Sequence, residues 1–125
     1  MVASDDGYRL TVDVVGIESK AGFIRMCLID DDSRKFLNTC DDFADRPIRG
    51  KLARATFYDL PPGKYCVYVY HDENSNHRLD IGGLFGKPTE PYGFSNDPST
   101  LFGPPNFRKC LFELKGDHKI TIKLK

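Results

Sequence analysis

The chain has no excess of charge of either sign. Over 125 residues, 18 basic side chains balance 18 acidic ones, for a formal net charge of zero. A binder of phosphate backbones normally carries a basic surplus, so nucleic acid is not an expected partner. No apolar run is long enough for a membrane-spanning helix, so no membrane span is expected. No C-x-x-C pair occurs, which argues against zinc-ribbon and thioredoxin-like readings. G-x-S-x-G, S-x-x-K and H-E-x-x-H are all missing, so no motif presents an activated nucleophile or a catalytic metal. Internal repeats and low-complexity tracts are absent too. Met1-Val2-Ala3-Ser4 is short and polar, without a signal-peptide core, as a chain start left by a removed signal would be.

What the chain does contain is a run of oxygen-bearing side chains in Asp72-Glu73-Asn74-Ser75-Asn76-His77-Arg78-Leu79-Asp80. Asp72, Asn74 and Asn76 alternate, and Asp80 follows. A hard cation such as Ca²⁺ takes six to eight oxygens, and a tight loop with acids or amides at alternate positions can turn them inward. The spacing matches the opening positions of an EF-hand-type loop, with Arg78 placed to offer its backbone carbonyl and Leu79 at the apolar position. Two positions depart from that pattern. His77 stands where glycine is expected, and Gly83 where a bidentate glutamate is expected, a ligand Glu90 could replace. The segment follows a strand, so no EF-hand is implied. The competing reading is an Asx-rich turn in which these side chains bond their own backbone.

Elsewhere the periodicity is that of strands. Leu10, Val12 and Val14 alternate within Tyr8–Val15, and Ile24, Met26 and Leu28 within Gly22–Ile29. Residues 33–49 are mixed and polar, with a short helical turn expected around Asp41–Ala44. Lys51–Tyr58 is a further strand, followed by a Pro61-Pro62-Gly63 turn. Tyr65–Tyr70 is β-branched or aromatic at nearly every position, which suits a central strand covered on both faces. Arg108–Leu114 and Lys119–Leu124, joined by Lys115-Gly116-Asp117, read as a closing hairpin. The pattern indicates an all-β fold, an antiparallel β-sandwich of about seven strands, in a single domain spanning residues 1–125 with residues 1–6 flexible.

Residues 81–106 show no clear periodicity and are rich in glycine, proline and aromatics. Structureless loops beyond roughly 15 residues are uncommon and usually functional or disordered. The aromatic content favours order, with Tyr92, Phe94 and Phe102 either closing the sandwich or forming a platform for a sugar or peptide. His71, His77 and His118 have no zinc-like spacing. Glu90 and Asp97 are more simply surface charges than a carboxylate pair. The four cysteines, Cys27, Cys40, Cys66 and Cys110, permit two disulfides in three connectivities, or four buried thiols.

Leu60-Pro61-Pro62-Gly63-Lys64-Tyr65, His71–Asp80, Pro91-Tyr92-Gly93-Phe94-Ser95 and Phe102-Gly103-Pro104-Pro105-Asn106-Phe107 together resemble a bacterial family known only as domain of unknown function 2141. The resemblance covers nearly the whole chain. It implies a small exported protein with a cleaved signal peptide, periplasmic or secreted, and a prealbumin-like or immunoglobulin-like sandwich. The proline-glycine turn is also similar to that of transthyretin-like and carboxypeptidase-regulatory-like modules, which are not enzymes. The family commonly has glycine where His77 stands. Through the oxidising compartment it implies, the resemblance favours disulfides, with Cys27 paired to Cys40 and Cys66 to Cys110.

The expected protein is therefore an exported, non-enzymatic binding or structural module at the cell envelope or outside the cell. Its expected cofactor is Ca²⁺, on Asp72, Asn74, Asn76, Arg78 and Asp80. The alternative is a carbohydrate- or peptide-binding module using Tyr92, Phe94 and Phe102, with a carbohydrate or protein partner. A small hydrolase using the cation, or Glu90 and Asp97, is the least supported reading, since no nucleophile–base pair is visible.

Overall fold

The computed structural model describes residues 7–73, 81–82, 87–88, 91–99 and 105–124. Residues 1–6, expected to be flexible, lie outside that set. The elements in chain order are β1 (Tyr8–Val15), β2 (Phe23–Asp30), a 3₁₀ turn (Ser33–Lys35), β3 (Asp42–Arg46), β4 (Ala53–Leu60) and β5 (Gly63–Asp72). There follow β6 (Ile81–Gly82), β7 (Lys87–Pro88), β8 (Tyr92–Phe94), α1 (Phe107–Cys110), β9 (Phe112–Leu114) and β10 (His118–Lys123).

The fold is all-β. One sheet has the order β10-β1-β4, and the other β3-β2-β5-β8, with β9 also pairing β5. β6 and β7 form a separate short pair. The alternation in the sequence explains how the sheets meet. Leu10, Val12 and Val14 of β1, and Ile24, Met26 and Leu28 of β2, enter one buried cluster. Ala53, Ala55 and Phe57 of β4, Val67 and Val69 of β5, and Ile122 of β10 complete it. This is the main core, between the sheets.

β5 is covered on both faces, as its composition requires. Tyr65, Val67 and Val69 face the main core, while Cys66 and Tyr68 join a second cluster with Cys27, Ile29, Phe94 and Cys110. Phe36 and Phe107 pack against this second cluster. The second sheet is thus buried on its outer face as well, under the β2–β3 connection and α1.

Four local expectations are corrected. The closing segment is not a hairpin: β9 runs antiparallel to β5 in one sheet, and β10 runs parallel to β1 in the other. A turn sequence such as Lys115-Gly116-Asp117 reverses the chain without fixing which sheet receives the next strand, and burial of Ile122 decides it. Arg108–Cys110, expected as strand, lies in α1, which Asn106 caps by accepting the Arg108 amide. Asp42–Ala44, expected as a helical turn, lies in β3, held by its ladder to β2 and by the Arg25–Asp45 ion pair. Nor is the segment 81–106 without secondary structure, since it contains β6, β7 and β8.

The outer face of the first sheet is polar. Asp13, nearly fully buried there, accepts from the Arg54 guanidinium and lies 3.2 Å from Lys119 Nζ. The hydrogen bonds from Arg54 hold its carboxyl below the usual carboxylate range, and Lys119 adds to the effect.

Candidate functional site

The oxygen-rich segment leaves from the end of β5, and that end is clamped. The His71 amide donates to Pro91 O at 2.9 Å, and its Nε2–H donates to Ala21 O at 2.5 Å. His71 is therefore a buried structural residue, its ring committed to the β1–β2 connection. Asp72 pairs with Phe23 across the ladder and is fully buried. Asn74, Asn76, Arg78 and Asp80, the other expected cation ligands, lie outside the described residues, as do His77 and Glu90. Among the described residues no group of three or more His, Cys, Asp or Glu side chains gathers as a metal site.

The expected aromatic platform divides. Phe94 is 3 % exposed, its ring 5.7 Å from that of Phe36 and 6.5 Å from that of Tyr68. It is a packing residue and not an exposed ligand surface, because β8 lies beside β5 with Phe94 opposite Tyr68. Tyr92 is half-buried, edge-on to Phe94 at 5.5 Å. Phe102 lies outside the described residues. Asp97 accepts the Lys123 amide at 3.1 Å, and His118 lies on β10 in the other sheet, so neither joins the Asp72 end.

All four cysteines belong to the outer layer. Cys27 and Cys40 form a disulfide, as expected, which fastens the β2–β3 connection to β2. The expected Cys66–Cys110 bond is not formed: both are free thiols, fully buried. The structure nevertheless brings them into one buried cluster, Cys66 from β5 and Cys110 from α1. The neighbouring Cys110 side chain, and then burial, push the Cys66 thiol up, while Cys66 lowers Cys110. Burial pushes the neighbouring Tyr68 phenol up to about 12, and its hydroxyl donates to Thr39 O at 2.9 Å.

The Pro91–Ser95 and Phe102–Phe107 blocks acquire a structural meaning here. A β-carbon on Gly93 would lie 2.7 Å from Ile122 Cγ2 and 2.9 Å from Lys123 O, so glycine permits β8 to approach β10. Ser95 Oγ accepts the Val67 amide at 3.1 Å and donates to Cys110 O. Asn96 Nδ2 donates to Lys109 O at 3.1 Å and Leu111 O at 2.8 Å. Three successive carbonyls at the end of α1 are thus held by two adjacent side chains.

Beside α1 lies a cleft of about 540 Å³ that sequence reasoning did not find. Phe107 and Leu111 give it apolar walls, and Lys64, Arg108, Asp31 and Glu113 give it both signs of charge. These residues come from three separate stretches of chain and share no motif, so only the fold assembles them.

A two-sheet all-β protein with a second, cysteine-lined layer and no nucleophile motif is the class these features define. The chain belongs to the family described as an uncharacterized protein conserved in bacteria (DUF2141), whose model matches residues 12–123. Comparison with curated proteins and with solved structures finds no match.

Proposed function

We propose that the protein is an exported, non-enzymatic binding or structural module whose segment from Asp72 to Asp80 folds around Ca²⁺. The observation that carries this reading is the complete burial of Asp72 at the last position of the central strand. The sequence after it supplies oxygen side chains at alternate positions, a pattern that gathers a hard cation. In this reading Asp72 anchors the ion to the sheet, and Asn74, Asn76, Asp80 and the Arg78 carbonyl complete the shell. The Cys27–Cys40 disulfide supports an oxidising compartment, periplasmic or extracellular.

The test is a thermal melt of chelator-stripped protein, disulfide intact, with and without millimolar Ca²⁺. A ligand at 100 times its dissociation constant adds about 2.7 kcal/mol to the folded state. The expected result is a midpoint several degrees higher with Ca²⁺, abolished in Asp72→Asn. An unchanged midpoint in the wild type overturns the cation reading.

A second reading, ligand binding, is favoured by the cleft beside α1. Its apolar walls and paired charges suit a peptide segment that carries both signs. This moves the alternative from the loop aromatics, since Phe94 is in the core, to Phe107, Leu111 and the charges around them. Loss of peptide binding in Arg108→Glu, with the melt unchanged, would support it.

A further inference from the structure

We propose that Cys66 and Cys110 are a thiol pair whose oxidation to a disulfide latches α1 onto β5. The two residues come from a central strand and from the helix lying over it, and both are fully buried in one cluster. Both side chains lie in the layer where α1 covers β5. Their backbones are tied by a single hydroxyl: Ser95 Oγ holds the amide of Val67, next to Cys66, and the carbonyl of Cys110. Asn96 holds the carbonyls on either side of Cys110. The pair is therefore positioned independently of any bond between the sulfurs.

The bond would complete a pattern. The Cys27–Cys40 disulfide fastens one half of the outer layer, the β2–β3 connection, to β2. A Cys66–Cys110 disulfide fastens the other half, α1, to β5, the strand next to β2 in the sheet. The two crosslinks differ in access. Cys40 is exposed, so a small reductant reaches the first bond, whereas both partners of the second are sealed. Once formed, the second bond resists reduction until α1 lifts.

The oxidant is a disulfide compound, small or protein-borne. A thiolate of the pair attacks one of its sulfurs, forming a mixed disulfide and releasing one thiol. The second cysteine then attacks the mixed disulfide, forms the Cys66–Cys110 bond and releases the second thiol. Two electrons pass to the oxidant, and its two sulfurs leave carrying the two protons. Neither step proceeds while the pair is sealed, so exchange runs through molecules in which α1 is open.

The full chain is reduced with dithiothreitol, exposed to oxidised glutathione, quenched by alkylation in denaturant and digested with trypsin. Cleavage after Lys64, Arg78, Lys109 and Lys115 isolates Tyr65–Arg78 and Cys110–Lys115. The expected product is these two peptides joined by a disulfide. The Cys27→Ala/Cys40→Ala variant, oxidised in the same way, should melt several degrees higher than when reduced. Alkylated Cys66 and Cys110 after exhaustive oxidation, or separate glutathione adducts on each, would overturn the proposal. If that variant fails to fold, the wild-type peptide map decides alone.

Discussion

Gly22 lies against the Asp72 carbonyl so closely that a β-carbon on it would stand 1.8 Å from that oxygen. Its φ of +66° is also one that L side chains rarely adopt. The chain entering β2 and the chain leaving β5 therefore share space that only glycine leaves open. Gly22→Ala is expected to cost about 2–4 kcal/mol through overpacking and strain together. Urea denaturation measures it, and a cost below about 1 kcal/mol would mean that the two segments separate easily.

The two aromatics of β8 should behave differently. Phe94→Ala removes a buried ring from the outer cluster and is expected to cost about 3–5 kcal/mol. Tyr92 is half-buried, so Tyr92→Ala should cost less than half as much. Equal losses in denaturant unfolding would contradict the packing described for this strand.

Asp13 gives stability a pH dependence whose sign is fixed by the direction of its shift. Its folded-state pKa lies below the ordinary carboxylate value because Arg54 and Lys119 favour the charged form. Its contribution is fully present above the ordinary value of 3.8 and is lost as pH falls through the lower folded value. Asp13→Asn should flatten the stability profile in that acid window. At neutral pH it should cost roughly 1.5–3 kcal/mol, the usual worth of hydrogen bonds to a charged group. A wild-type profile unchanged by the substitution would show that another carboxylate governs acid unfolding.

Ser95→Ala should loosen α1 from the sheet. It removes the acceptor of the Val67 amide and the donor to Cys110 O, both buried, at about 2–4 kcal/mol for two orphaned groups. Hydrogen exchange provides the local readout. The amides of Lys109 and Leu111, bonded to the start of α1, should exchange faster while those of β1 do not. Uniform acceleration across the chain would place the effect in global stability instead.

Much of the fold was legible because burial and alternation agree. β1, β2 and β5 were visible in the sequence, and Leu10, Val12 and Val14 were placed on the correct face. The Cys27–Cys40 bond and the capacity of β5 for two covered faces were legible too. Lost were elements whose identity depends on distant partners. β3 is a strand because Asp45 and Phe43 meet Arg25, which pairs with one and lies 4.5 Å over the ring of the other. β10 departs from β9 because Ile122 and Leu124 complete a core begun more than a hundred residues earlier. α1 had a local signal, Asn106 after two prolines, but its short run reads equally as strand. At the candidate site, the spacing drew attention to Asp72, while the cleft beside α1 carries no sequence signature.

The parallel pairing of β1 with β10 sets an order of events during folding. The Arg9 amide is bonded to an Asp117 side chain 108 residues away, and the ladder runs on through Val15 and Lys123. A ribosome releases β1 long before its parallel neighbour β10 exists. Until β10 emerges, one edge of β1 stays open and the main core lacks Ile122. The cost of closing so long a loop precedes the contacts that reward it, which predicts slow folding dominated by a late docking step. During that interval the unpaired edge of β1 is an exposed template for pairing with another chain.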